Sequence, residues 1–406
     1  MKKITVAILG FGSRGFTYAN IIREYPEEAQ IVAVCEVNLN KKPFILSQYQ
    51  LNEDQFYENE DHFFGKGKLA DVLIISTMDQ DHHRHALKAL NLGYDLLLEK
   101  PIATTKADCQ EIADYAKQLN RKVAVCHVLR YTPFYQKLKE IIDNQTIGEI
   151  VTLSQTEHIG YYHFAHSYVR GNWRNSQTSS PMVLAKSCHD LDIIRWLMGS
   201  DCTQLSSLGN LFYFNKAHAP LGSKAYCYQC QVDCPYHAFR FYKKHPMWAM
   251  IFTLNPDLET VLKDEKLSYS RCVYQSDNNV PDHQVVQMLF KNAATAQLTI
   301  TAFSKEIHRS IKIHGTKGEI EGDMEGMTIT VKVFGGDTWQ IDVRELAKDF
   351  SGHAGGDKKM VRDFLANVRN NEPIIGLTDI KNALESHFMA LDAETSRLQG
   401  GKVISR

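Results

Sequence analysis

Gly10-x-Gly12-x-x-Gly15 follows the apolar run Ile4–Leu9 and opens Phe16–Arg23, whose apolar residues recur at helical spacing. A strand that ends in three glycines and turns into a helix leaves few folds open. The first glycine permits a tight turn. The second lets backbone approach a pyrophosphate, and the third lets the helix pack close against the strand. The helix N-terminus adds amide donors and a positive dipole end for phosphates. Glu36 closes the next apolar strand, Ile31–Cys35, about 20 residues on, where a carboxylate accepts hydrogen bonds from a ribose diol and repels a 2′-phosphate. The expected ligand is NAD, in preference to NADP. Its expected contacts begin with Gly10, Gly12, Ser13, Arg14, Gly15 and Glu36. Lys41 and Lys42 are the residues able to reverse that preference.

Apolar strand patterns continue to alternate with helical ones. Val72–Ser76, Asp95–Leu98 and Val123–Cys126 read as strands, and His82–Leu92 and Ala107–Leu119 as helices. Such alternation predicts βαβ units and a parallel sheet covered on both faces. Beyond about residue 130 the pattern changes. Phe134–Ile142 and His189–Trp196 read as helices, and Ile150–His158 as a half-buried strand. Val285–Phe290, Ala296–Phe303, Ser310–His314, Met327–Val333 and Trp339–Val343 follow as serial strands. That series predicts an open, mainly antiparallel sheet. The expected fold is α/β. Residues 1–126 form a doubly wound Rossmann domain, and residues 127–406 form a substrate-binding and dimerisation domain. The second domain carries an irregular, cysteine-bearing insertion at about 201–265. Its C-terminal helices, Met360–Asn367 and Lys381–Leu398, are expected to pack back toward the first.

Glu99-Lys100-Pro101 ends the Asp95–Leu98 strand. Ligands of open α/β sheets sit outside the carboxyl ends of strands, which aims Lys100 at the cofactor crevice. With the glycine motif, Ser76-Thr77, His82, Gly93 and Glu99-Lys100-Pro101-Ile102-Ala103, the chain resembles the Gfo/Idh/MocA oxidoreductases. The resemblance continues through Arg130-Tyr131, Gly148-Glu149-Ile150, His189-Asp190-Leu191-Asp192 and Gly315-Thr316-Lys317-Gly318. It implies that Ser76, Thr77, His82, Glu99, Lys100 and Arg130 line the cofactor site. It also implies that Lys100 and His189 are catalytic, at a substrate hydroxyl beside the nicotinamide. An ordinary lysine, with a pKa near roughly 10.4, is a poor base at neutral pH unless burial or a nearby cation depresses it. Histidine titrates close to neutrality. Either residue can be the base, with the other a hydrogen-bonding partner.

Many family members carry an aspartate four residues before this histidine; here the position is Ala185, followed by Lys186. Lys186 either meets an anionic substrate or forms a structural ion pair. The aromatic stretch His158–His166 precedes Arg170-Gly171-Asn172-Trp173-Arg174 and reads as a loop. Rings stack on sugar faces and arginine forks bind anions, so Tyr162, Trp173 and Arg174 join Lys186 and His189 as expected substrate contacts. About half of the aromatics in the stretch are expected to be structural. His353 and Asp357 sit on a glycine-rich loop as further candidates.

Cys227-x2-Cys230-x3-Cys234-x2-His237 gathers zinc donors, with His237 or Cys272 as the fourth ligand of a structural zinc; the alternative is a set of reduced thiols. Nine cysteines, an odd number, suit reduced thiols better than a disulfide framework. Net charge is −1, which gives no support for a nucleic-acid partner. No apolar run reaches the length of a membrane span. The apolar stretch after Met1-Lys2-Lys3 breaks at Gly10, unlike a signal peptide, so a cytoplasmic protein is expected. By the resemblance it is a homodimer or homotetramer.

The expected function is hydride transfer between a sugar or polyol hydroxyl, possibly on an acidic sugar, and NAD. One alternative is an NAD-dependent glycosidase that works by transient oxidation. Another is a non-catalytic ligand sensor on the same fold.

Overall fold

Strand β1 (Ile4–Leu9) is fully apolar but for Thr5, and it lies in the middle of a six-stranded sheet. Its neighbours are β2 (Ala29–Cys35), β3 (Phe56–Tyr57), β4 (Val72–Ile75), β5 (Asp95–Leu98) and β6 (Val123–Val125). The order is β3-β2-β1-β4-β5-β6, and every pairing is parallel. Residues buried on both faces account for the unbroken Val-Leu-Ile-Ile of β4 and Leu-Leu-Leu of β5. The strand order reverses between β1 and β4, so their carboxyl ends flank the crevice where such sheets bind ligands. The architecture comes from a computed structural model that describes residues 3–249, 252–253, 257–374 and 378–406.

A second, nine-stranded sheet begins with β7 (Ile150–His158) and β8 (Cys202–Asn210), then β9 (His283–Phe290), β10 (Thr295–Thr301) and β11 (His308–Gly315). It ends with β12 (Gly318–Asp323), β13 (Thr328–Val333), β14 (Thr338–Asp342) and β15 (Ile404–Ser405). The order is β14-β13-β12-β11-β7-β10-β9-β8-β15, antiparallel except for β7 beside β10. Two of these strands lack an obvious apolar alternation. In β12, Gly318, Ile320 and Gly322 face inward, where a Cβ on Gly322 would sit 2.7 Å from the Phe134 ring. Glu319 and Glu321 face outward and pair with Lys312 and Lys332. In β8, small polar residues take the place of the usual branched ones, so the expected irregular insertion begins only after Asn210.

The chain divides into two compact units, residues 1–132 with 349–387, and residues 133–348 with 388–406. The segment 349–387, expected within the second domain, thus belongs to the first. Met360, Val361, Phe364 and Leu365 of its Gly356–Arg369 helix join the core built by Ile4, Val6, Ile8, Tyr18 and Val72. Asp379 bridges to Ala124 of β6. Among the described residues no helix is long and apolar enough to cross a membrane.

Candidate dinucleotide and catalytic site

Gly10 has φ +86°, and a Cβ there would lie 2.7 Å from the Ser76 carbonyl oxygen. A Cβ on Gly15 would lie 2.3 Å from the Gly10 carbonyl oxygen, whereas one on Gly12 would meet nothing within 4 Å. The turn therefore needs glycine at the first and third positions for packing, and leaves the second open toward a ligand. Gly12 is also the N-cap of the Ser13–Glu24 helix, with no side chain capping its first-turn amides. Those donors suit a pyrophosphate. Ser76 Oγ donates to the Gly10 carbonyl at 2.7 Å and locks the end of β4 to the loop.

Glu36 is buried. It accepts from Phe11 N–H and Asn38 N–H, each at 2.8 Å, which fixes its carboxylate at the end of β2. Lys41 Nζ donates to the Phe11 carbonyl at 2.9 Å and lies 3.5 Å from Glu36, while Lys42 pairs with Glu53 at 2.7 Å. Both lysines that could favour a 2′-phosphate thus have carboxylate partners. The donor and acceptor pattern fits a dinucleotide with a free ribose diol.

Glu99, at the end of β5, is the hub of the site. Its Oε1 accepts from Arg14 Nε at 2.7 Å and from the Tyr18 hydroxyl, and its Oε2 accepts from Lys100 N–H at 2.9 Å. Burial acts to raise its pKa, but Arg14 and Lys100 hold the carboxyl below the usual range. Arg14 also binds Asp357 at 2.5 Å, beside His353, whose Nδ1 is 3.0 Å from the same carboxylate. So Arg14 of the glycine loop is clamped between two carboxylates, and both face the loop through it. Lys100 follows directly, partly buried, with Pro101, Ile102 and Ala103 buried behind it.

The remaining expected cofactor residues are placed as follows. Thr77 Oγ1 is 3.0 Å from His85 Nδ1, and burial pulls the His85 pKa down to about 4. His82 is buried, with Nδ1 donating to the Pro101 carbonyl at 2.6 Å and Nε2 3.2 Å from the Thr77 carbonyl. Arg130 is buried in the Val128–Tyr131 turn.

In the second unit, His189 lies in the first turn of the Cys188–Met198 helix and is 7% exposed. Beneath that turn lies a buried charge cluster. Arg309 of β11 bonds Asp190 at 2.9 Å and Glu157 of β7 at 2.5 Å, and Lys186 pairs with Glu157 at 3.1 Å. Burial lowers the Lys186 pKa, and it raises that of Asp190. Two cations thus meet two carboxylates, and Lys186 stands in an internal ion pair. Arg174 likewise pairs with Asp277 at 2.8 Å. The aromatic stretch expected as a loop is helical: Tyr161–Phe164 runs into a wider turn, Ala165–Arg170, all six of whose residues are buried. The Tyr162 ring stacks on Phe241 at 5.6 Å and meets Trp248 at 5.7 Å, and Trp173 lies 6.5 Å from Tyr168. Phe241 and Trp248 lie about 80 positions beyond Tyr162, too far along the chain for local pattern to reveal.

Residues 4–127 match the model of the oxidoreductase family's NAD-binding Rossmann fold, and residues 139–386 match that of its C-terminal α/β domain. The chain belongs to the Gfo/Idh/MocA oxidoreductase family. It is 25% identical over 351 residues to YteT of Bacillus subtilis (strain 168), named as an oxidoreductase, covering 82% of this chain and 78% of that one. It is 27% identical over 205 residues to inositol 2-dehydrogenase of Salmonella typhimurium, covering 49% of this chain and 55% of the relative. Levoglucosan dehydrogenase, solved with NADH and L-sorbose, shares the fold at TM-score 0.74 and 16% identity, over 100% of this chain and 99% of that one.

The expected zinc set of this oxidoreductase does not fit a tetrahedral ion. Cys227, Cys230, Cys234, His237 and Cys272 do line one cavity of about 20 Å³. Donors around zinc sit roughly 3.3–3.8 Å apart, given bonds of about 2.0–2.3 Å. Among the described residues only His83, Asp108 and Glu111, a partly exposed trio, bring three donor atoms within 4.8 Å of one another. Cys227 Sγ instead accepts from Ala238 N–H at 3.4 Å and Arg170 at 3.7 Å. The spacing put the thiols near one another, but hydrogen bonds to the helix start and to a buried guanidinium hold Cys227.

Proposed function

We propose that this oxidoreductase moves a hydride between a sugar or polyol hydroxyl and NAD, with Lys100 and His189 handling the hydroxyl proton. The observation that carries the reading is Lys100 at the carboxyl end of β5, joined through Glu99 to Arg14 of the dinucleotide loop. A reactive group at that end of a parallel sheet is where the reacting end of a bound dinucleotide is reached. NAD, when bound, would supply the hydride acceptor. The protein's part is to take the hydroxyl proton, to hold the oxygen as charge grows on it, and to orient the carbon–hydrogen bond. A neutral amine or imidazole within hydrogen-bond reach takes the proton, and the cation so formed, or the partner residue in its protonated form, holds the oxygen. NAD rather than NADP follows from Glu36 with Lys41 and Lys42 on carboxylates. Sugar and polyol substrates are supported by the relatives named inositol dehydrogenase and by the sorbose-bound neighbour. Tyr162, Trp173 and Arg174 are the proposed substrate contacts in the second unit, with Lys186 bracing the helix of His189.

The test is a panel of sugars, polyols, uronates and p-nitrophenyl glycosides with NAD, read for NADH and products together. Stoichiometric NADH from a free sugar or polyol, abolished by Lys100→Met while NAD binding persists, is the expected result. Release of p-nitrophenol without net NADH would replace this reading with redox-neutral glycoside cleavage. Full turnover by Lys100→Met would remove Lys100 from the chemistry.

A further inference from the structure

Lys100 sits on a backbone whose polar groups are held one after another by buried side chains. Its own N–H donates to Glu99 Oε2 at 2.9 Å. The Pro101 carbonyl accepts from His82 Nδ1 at 2.6 Å. The Ile102 N–H donates to His387 Nε2 at 2.9 Å. His387 is wholly buried, and 285 residues separate it from Ile102. Because its Nε2 accepts, its proton is on Nδ1, which donates to the Ala383 carbonyl at 2.8 Å one turn back in its own helix. The ring also lies 5.3 Å from that of His127, edge to face. One imidazole tautomer therefore ties the second turn of the Ile380–Leu398 helix to the residue two positions beyond Lys100.

We propose that His387 is a positioning residue for Lys100, with His82 as the second pin. The proposal rests on the reading of Lys100 as the reactive group. A purely structural histidine would fill space, and a phenyl ring fills the same space. A pin needs an acceptor at Nε2, because an unpaired buried amide drives the segment to move until it finds water or another partner. A displacement of about 1 Å at a reacting group costs a large factor in rate, whereas the glycine loop that binds the cofactor is untouched. The pin therefore acts on turnover and not on dinucleotide affinity.

The test compares His387→Gln, which keeps an acceptor near the position of Nε2, with His387→Phe, which does not. The full chain, saturated with NAD, is treated with a water-soluble acetylating ester, and mass spectrometry follows the rate at Lys100. The same proteins are assayed for kcat and KM on whichever panel substrate yields NADH, and for NAD affinity. For His387→Phe we expect at least a threefold faster acetylation of Lys100 and at least a tenfold lower kcat, with NAD affinity within twofold. His387→Gln is expected to restore both. His82→Leu tests the second pin by the rate of Lys100 acetylation, and that rate decides the matter if His387→Phe does not fold. Unchanged acetylation in a folded variant that lacks a pin, or equal losses in the Gln and Phe variants, would overturn the proposal. Acetylation is read without turnover, so it stands apart from the Lys100→Met assay, which tests the reactive role itself.

Discussion

At Gly15 a single methyl group decides the outcome, because its carbon would lie 2.3 Å from the Gly10 carbonyl oxygen, a backbone atom that cannot swing away. Gly15→Ala is expected to cost about 1–3 kcal/mol as overpacking, seen as a lower melting temperature. It should also weaken NAD binding at least tenfold in a titration, because the loop must open to admit the carbon. Glu36 has a different cost. Its carboxylate holds two backbone amides at the end of β2, where the proposed reading puts the ribose diol. Hydrogen bonds to charged groups are worth about 1.5–3 kcal/mol each, so Glu36→Ala should weaken NAD by roughly 10- to 100-fold. NADP should be weakened far less, and the ratio of the two dissociation constants is the measurement. Both residues were legible in sequence because their partners are set by the local strand-turn-helix rule. Arg14 was legible as part of the loop, but its clamp between Glu99 and Asp357 was not, since Asp357 lies 343 residues away. His387 offered no signal: in sequence it is one histidine within a helical pattern.

At the scale of elements, β7, β11 and the helix that carries His189 meet through Glu157, Arg309 and Asp190. Arg309→Met fills the space but leaves two buried carboxylates with Lys186 alone. Breaking a buried ion network by removing one partner costs about 3–5 kcal/mol, so urea unfolding should show a loss of that size. Joint substitution of Glu157, Lys186, Asp190 and Arg309 by apolar residues, which leaves no buried charge behind, should recover much of it. The Ala165–Arg170 turn holds a titrating group that residues of the insertion help to bury. His166 lies among Tyr242, Trp248 and Tyr269, and burial, followed by the Arg170 charge, lowers its pKa to about 3. The unfolded chain binds this proton near pH 6.5, so between about 3 and 6.5 it is the unfolded form that takes up the proton. Stability from this group is therefore complete above about pH 6.5 and is lost as pH falls toward about 3, on the order of 4 kcal/mol in all. Trp248, with its ring 5.1 Å from His166, reports the change by fluorescence. His166→Phe should flatten that dependence. This cluster shows why the stretch was misjudged as a loop. Dense aromatics and histidines suit an exposed binding surface equally well when the residues that bury them lie about 80 positions later, in a segment with no strong period.

For the whole molecule, the parallel sheet was legible as a class because strand and helix periods alternate up to about residue 126, although the two-residue β3 is too short to show a pattern. The second sheet was legible as a class, although β8 and β12 were missed, being built from serines, glycines and glutamates. The C-terminal helices are expected from sequence to pack toward the first domain; what local pattern does not convey is that residues 349–387 form one compact unit with the first 132. Amphipathic spacing marks Gly356–Arg369 as a helix, but it does not by itself say which core residues receive its apolar face. That core is the one around β1: Met360, Val361, Phe364 and Leu365 pack with Ile4, Val6, Ile8 and Tyr18, and Asp357 binds Arg14. Burying four such side chains contributes about 1.5–3 kcal/mol each, roughly 6–12 kcal/mol together, which is comparable to the whole stability of a domain, about 5–15 kcal/mol. A fragment of residues 1–132 should therefore lack a cooperative thermal transition and bind a hydrophobic dye, even though it contains every strand of its sheet and the complete glycine motif. It should not bind NAD at millimolar concentration. A fusion of 1–132 to 349–387 through a flexible linker should regain a cooperative melt and dinucleotide binding, read by calorimetry. Cooperative folding of 1–132 alone, with NAD affinity near that of the full chain, would show that the returning helix decorates this unit rather than completing it.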